Sequence, residues 1–354
     1  MLFTPGPTEV EQGLRDIGSM SLPYFRGKEY TDTIQELTQD LKYLFQTTCT
    51  PLTLTSSGTG AMEMAIQNLI DVGDPVVVVN CGTFGTKWVN MCKTFGARVT
   101  EVKSPLGKLP DINVISDAIT NGTKAVLVTA HETSTGLLND INAMGELARQ
   151  KDTLLIVDAV SSIGADHFNF DEFNCDCAIV SSQKALACMP GLSFIVFSEK
   201  AWKIIPTVKR GRCYFDAVEY MNNIGRGMLP YTPAMQATFQ VHARLKLIRK
   251  MGLSQYIEAH AKRASSFRSR MTASDEFSLF AERQSNSLTS LTLPDNCMMS
   301  EVTAYIGQKY NWYIAPNPTQ DESYLRISHM GNMTDYELSI LADRIEEACQ
   351  YVSR

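Results

Sequence analysis

The sequence predicts an α/β protein: a large domain on a mostly parallel sheet with helices on both faces, and a smaller C-terminal α+β domain. Three observations lead there. Between residues 52 and 197, short runs rich in Val, Ile and Leu alternate with helical segments, and strands covered on both faces read as such continuous apolar runs. Beyond them the pattern changes to two long helical stretches, two strand-like runs and a final amphipathic helix. A chain of 354 residues also exceeds one ordinary core.

Taken in order, residues 1–27 read as an extended arm, with turn chemistry at Thr4-Pro5-Gly6-Pro7 and aromatic anchors at Tyr24 and Phe25. Lys28 to Phe45 is a helix, with Tyr30, Ile34, Leu37, Leu41 and Leu44 spaced by threes and fours. Strands are expected at 52–55, 75–80, 98–102, 125–129, 154–158, 178–181 and 193–197. Helices are expected between them at 60–70, 86–95, 114–119 and 141–149. The last two strands are separated by only a loop, so one of them can run antiparallel. Helices at 233–251 and 254–271, strands at 287–293 and 324–328, and a helix at 334–352 complete the chain. The expected organisation is an arm (1–27), a large domain (28–245) and a small domain (246–354).

Composition narrows the function. A net charge of −6 gives no basic footprint for nucleic acid or for an anionic membrane. No run of about 18 uncharged apolar residues suggests a membrane span, and the N-terminus lacks the pattern of a secretory signal. Nine cysteines at irregular spacings suit neither a disulfide framework nor a zinc site, with Cys175 and Cys177 too close for the usual pair. Free thiols in a reducing cytoplasm are the simplest reading.

Ligands of a parallel sheet bind beyond the carboxyl ends of its strands. Ser56-Ser57-Gly58-Thr59-Gly60 follows the first strand and opens a helix, whose free amides and dipole suit a phosphate. It is no dinucleotide fingerprint, since Glu63 stands where a third small residue belongs, and an ordinary turn is the alternative. Phe84, between Gly82 and Gly85, either projects from a tight loop over a flat ring or is plain core. His131-Glu132-Thr133-Ser134 follows the fourth strand, and His131 either touches a ligand or is structural. Asp158 ends an apolar strand and needs a cation, unless it caps a helix. Lys184, in Ser181–Ala187, follows the next strand as either a snorkelling lysine or a desolvated amine fit to form a Schiff base. Arg326, inside Tyr324–Ser328, needs an anion: a substrate carboxylate held bidentately, or a structural partner.

Jointly these motifs resemble the class-V aminotransferases, which share pyridoxal-phosphate (PLP) fold type I with its seven-stranded sheet. The alanine–glyoxylate, serine–pyruvate and 2-aminoethylphosphonate–pyruvate branch is nearest. The resemblance runs from Thr4-Pro5-Gly6-Pro7 to Leu325-Arg326-Ile327. It implies that Lys184 carries PLP as a Schiff base and moves the proton between the substrate α-carbon and the cofactor. It implies that Asp158 pairs the pyridine nitrogen, Val160 packs on one ring face and Phe84 stacks on the other. Ser57, Gly58, Thr59 and Gln183 would line the phosphate pocket, and Thr133 would reach the phenolic oxygen. Tyr231 and Thr232 would reach the phosphate in a second subunit, making a homodimer with shared sites. Arg326 would clamp the substrate carboxylate, with Arg26 near the entrance, and no metal is implied.

The implied activity is ping-pong transfer of an amino group from a small amino acid or amine to pyruvate or glyoxylate. A 2-aminoethylphosphonate donor is the alternative, with Arg26, Arg210, Arg212 and Arg226 as candidate phosphonate partners. Phe25-Arg26 replaces the His-Arg of many relatives, and the tract from Thr207 to Leu229 does not match, which leaves the substrate open. A cysteine-desulfurase-like lyase fits less well, because Gln183 rather than His precedes the lysine and no Cys sits in an evident Gly/Ser-rich loop. A non-catalytic nucleotide-binding module would leave Lys184, Asp158 and Arg326 unexplained together.

Overall fold

The computed structural model describes residues 1–318 and 324–353. Seven strands form the central sheet: β1 (Leu52–Leu54), β2 (Pro75–Asn80), β3 (Arg98–Lys103), β4 (Ala125–Thr129), β5 (Leu154–Asp158), β6 (Cys177–Ser181) and β7 (Ser193–Phe197). Their order is β1-β7-β6-β5-β4-β2-β3. Only β7 runs against the others, pairing antiparallel with both β1 and β6. A loop of eleven residues between Ser181 and Ser193 is too short for a helical crossover, so the chain returns antiparallel. β4 to β7 are buried throughout, which is why they read as unbroken apolar runs.

The register brings the site together. Thr129 pairs with Asp158, and Asp158 with Ile179, so the ends of β4, β5 and β6 lie along one edge. Ser181 faces Ser193, which in turn faces Leu54, and this brings the end of β1 to the same edge.

The helix Lys28–Phe45 packs on Met235–Met251, burying Ile34, Leu37, Leu41 and Leu44 at its core face. Position 245 falls inside that second helix, whose Val241, Leu245 and Ile248 belong to the large core. After Gly252 the packing changes. The helix Leu253–Met271 contributes Phe267 and Met271 to a second apolar cluster with Leu291, Leu325, Ile327, Leu341 and Ile345. That cluster lies between a four-stranded antiparallel sheet and the final helix, Asp335–Val352, which begins in a capping box of Thr334 and Glu337.

The N-terminal segment departs from an uninterrupted extended arm. Gln12–Gly18 is a helix packed on Met235–Met251, with Leu14 buried. Phe3 is fully buried in the second apolar cluster, its amide donating to Tyr313 O at 2.8 Å and its carbonyl accepting from Ser328 at 2.9 Å.

Candidate active site

Asp158 ends β5 with only 4 % of its surface exposed, and its carboxylate accepts the Val160 amide at 3.0 Å. Burial pushes this carboxyl up to about 6, and the neighbouring Glu132 charge adds to the rise. Lys184 lies in the loop after β6. Burial pulls its amine down to about 8 against the attraction of Asp158, while Arg326 and Lys87 reinforce the depression. Its Nζ donates to Pro5 O at 2.5 Å. The loop is held from below by Tyr256, whose hydroxyl donates to Ala185 O at 2.5 Å.

At the end of β1, Ser57 precedes the helix Gly58–Leu69 without a side-chain capping bond, and the helix starts two residues before the expected Gly60. The first-turn amides of Gly58 and Thr59 therefore have no intrahelical acceptor and face outward as anion donors. Gly58 is required by a close approach: a Cβ there would stand 2.9 Å from Val160 Cγ2. Gly58→Ala should weaken cofactor binding about tenfold and lower stability by roughly 1–3 kcal/mol through overpacking. Titration of the apo protein with PLP and thermal unfolding check both.

Phe84 does not project from a loop. It lies in the first turn of a helix, Thr83–Thr94, that begins three residues before the expected Thr86. Glu132 explains the earlier start. Its fully buried carboxylate accepts the amides of Phe84 at 3.1 Å and Gly85 at 3.0 Å, and the Ser134 hydroxyl at 2.5 Å. An acid at a helix N-terminus satisfies orphan amides and favours the dipole. Sequence reasoning passed over Glu132 although it follows the strand-end His131.

Lys87 was also missed. Its ammonium donates to Thr59 Oγ1 at 3.1 Å and stands 5.0 Å from the Phe84 ring centre. The spacing from Phe84 was the available signal, since i and i+3 share a helix face.

Thr133 is buried, its hydroxyl 3.4 Å from Ser161 Oγ, and its carbonyl accepts Arg326 Nη1 at 3.0 Å. Arg326 also donates to Pro316 O at 3.1 Å, so two carbonyls orient the guanidinium, and among the described residues its carboxylate influence comes from Glu132 at longer range. His131 is buried and neutral, pulled down to about 3 chiefly by burial, with Nδ1 2.8 Å from Ser287 Oγ and 3.1 Å from Ser161 O.

A phosphate-bearing aromatic cofactor fits these residues. Among the described residues Ser181 Oγ, Gln183 Oε1 and His131 Nε2 are buried without a hydrogen-bond partner, and such atoms call for a ligand or water. Asp158 offers a buried anion for a ring cation, and Gly58, Thr59 and Lys87 offer donors for a phosphate.

Other expected residues make local contacts of their own in this chain. Tyr231 donates to Cys213 O at 2.8 Å and stacks on Tyr214 at 4.6 Å, while Thr232 is exposed. Arg26 is exposed, with its guanidinium 5.1 Å from the Phe25 ring centre. Arg210 lies over Phe95, Arg212 donates to Ile205 O and Arg226 to Asn223.

A family model described as aminotransferase class-V matches residues 20–312. An uncharacterized aminotransferase of Methanocaldococcus jannaschii is 32% identical over 340 residues, covering 94% of this chain and 88% of that one. A serine–glyoxylate aminotransferase of Arabidopsis thaliana is 31% identical, covering 95% and 87%. The crystal structure of an alanine–glyoxylate aminotransferase from Nostoc sp. superposes with a TM-score of 0.93 at 25% identity, covering 98% and 94%.

Proposed function

This chain belongs to the class-V aminotransferase family and is a PLP-dependent transaminase, and from that premise we propose that it moves the amino group of a small amino acid to glyoxylate or pyruvate. The observation that carries this reading is that Lys184 lies within electrostatic reach of both Asp158, at the end of β5, and Arg326, on the strand Tyr324–Ser328 of the second sheet. The glyoxylate of the two relatives with named substrates supports the acceptor.

When bound, PLP supplies an electron sink for the bonds at the substrate α-carbon. The chain's residues do the rest. Ser57, Gly58, Thr59, Gln183 and Lys87 bind the phosphate. Val160 and Phe84 would pack against the ring, Thr133 would hold its phenolic oxygen, and Asp158 would keep its nitrogen protonated. Lys184, with an amine near neutrality, anchors the cofactor and then takes and returns the α-proton at Nζ. Arg326 orients the substrate carboxylate. Tyr231 and Thr232 reach the phosphate of a second copy, so the working unit is a homodimer, and Arg26 lies at the substrate entrance.

The guanidiniums of Arg210, Arg212 and Arg226 contact Phe95 O, Ile205 O and Asn223 Oδ1 in this chain, and these positions lend a phosphonate donor no support. A screen of alanine, serine and 2-aminoethylphosphonate in single half-reactions tests the choice. Loss of the visible lysine-bound cofactor band with alanine or serine is expected; reaction with the phosphonate alone would overturn the reading. Arg326→Gln should raise KM for the oxo acid by about 10- to 100-fold, as loss of a charged hydrogen-bonding partner does. Steady-state kinetics with varied glyoxylate measure it.

A further inference from the structure

The turn Thr4–Pro7 closes over the lysine. Pro5 O accepts Lys184 Nζ at 2.5 Å. The next residue has room for nothing beyond hydrogen: a Cβ on Gly6 would lie 2.8 Å from Cδ of Lys184 and 2.9 Å from both Cε and Nζ. Gly6 also has φ +126°, a conformation that side chains disfavour.

Both ends of this turn are anchored. Downstream, the Thr8 amide donates to Gln183 O at 3.1 Å and its hydroxyl lies 3.3 Å from Lys184 O, tying the turn to the lysine loop. Upstream, Phe3 is hydrogen-bonded to Tyr313 and Ser328, and Ser328 lies two residues beyond Arg326 on the same strand. The Pro5 carbonyl is therefore fixed between the lysine loop and the strand that carries the proposed carboxylate clamp.

We propose that the Pro5 carbonyl is the acceptor that holds the Lys184 amine whenever that amine is not bonded to the cofactor, and that Gly6 is the positioning residue that makes room for it. The proposal rests on the transaminase reading of Lys184 and adds a role for a segment that reading leaves unused. A neutral amine has two N–H groups and one lone pair. Donating one N–H to a fixed carbonyl sets the direction of the lone pair and so the line along which a proton is taken. Once the proton is on Nζ, the same carbonyl stabilises the ammonium, because hydrogen bonds from a charged donor are the stronger ones. The group that aims the base thus also holds the proton until its return.

Two variants test this. Gly6→Ala inserts a methyl into the lysine side chain. Replacing Gly6 with glycolic acid by semisynthesis turns the Pro5–Gly6 amide into an ester, which weakens the carbonyl as an acceptor and adds no atoms. Among the described residues the Gly6 amide donates no hydrogen bond, so the exchange costs no other contact. First, the wild-type holoenzyme must show borohydride fixation of PLP at Lys184; its absence would sink the transaminase reading itself. Given that, the proton-transfer step of the half-reaction, read by deuterium on the donor α-carbon, should slow about tenfold in the ester variant and more in Gly6→Ala. The pH midpoint for capture of PLP by the apo protein should move downward in the ester variant, because a weaker acceptor favours the ammonium less. A wild-type rate, or a slowed rate with an unmoved midpoint, overturns the proposal, since disturbed packing would leave the midpoint in place. If Gly6→Ala does not fold, the ester variant decides alone.

Discussion

Lys184→Ala is expected to lower transamination by on the order of 10⁴-fold, the upper end of what a positioned acid–base group contributes, because one amine is assigned both the anchoring of the cofactor and the proton transfer. The surroundings argue against a spectator role. A lysine on a protein surface keeps its ordinary affinity for a proton, whereas this one is pulled down to about 8 by burial. That value leaves a useful fraction of neutral amine near pH 7–8 without abolishing its basicity. Its loss should also be felt at Asp158, whose carboxyl Lys184 helps to hold down; in the apo variant that group should bind its proton still more tightly. Lys184→Arg separates the two effects, since it keeps the positive charge but supplies no neutral amine at working pH. Steady-state rates should be equally low in both variants, with PLP still bound but no longer fixed by borohydride. Appreciable turnover in either one would remove Lys184 from the mechanism.

Much of this arrangement was legible in the sequence because strand ends of a parallel sheet are marked by a change from apolar to polar residues. Asp158, Lys184 and the Ser57-Gly58-Thr59 turn all sit at such changes, and the register of β4, β5 and β6, with β7 bringing in the end of β1, lays those strand ends along one edge. Glu132 and Lys87 were not read, for different reasons. Glu132 works by satisfying amides of a helix start 48 residues earlier, a partnership no local pattern announces. Lys87 was hidden by the late start assigned to its helix, since Phe84 and Lys87 share a face only if Thr83–Thr94 is one element. The Thr4–Pro7 turn was recognised as a turn, but its position over Lys184 depends on contacts 179 residues apart. The direction of β7 was left open between two strands, and loop length decided it.

Asp158→Asn is expected to reduce transamination by about 10²-fold or more, the scale on which removal of one preorganised electrostatic partner is felt, while changing the stability of the apo protein in a way that identifies the group. In the apo protein burial raises this carboxyl from 3.8 to about 6, so the folded state binds the proton more tightly than the unfolded chain. The stabilisation this gives is present in full below about pH 4 and is lost as pH rises through about 6, a change of roughly 3 kcal/mol for a shift of this size. Asp166 is raised to about 6 as well, by burial first, and contributes in the same window. The apo wild type should therefore lose stability between about pH 4 and 6, and the Asn variant should lose less, the difference isolating Asp158. Bound PLP with a protonated ring nitrogen would compensate the buried carboxylate and flatten the wild-type curve, an effect the Asn variant cannot show. Denaturant unfolding of both proteins across that range, with and without PLP, measures all four curves. Identical slopes in the two apo proteins would show that Asp158 is ionised at little cost, and the argument that it awaits a cation would fail with them.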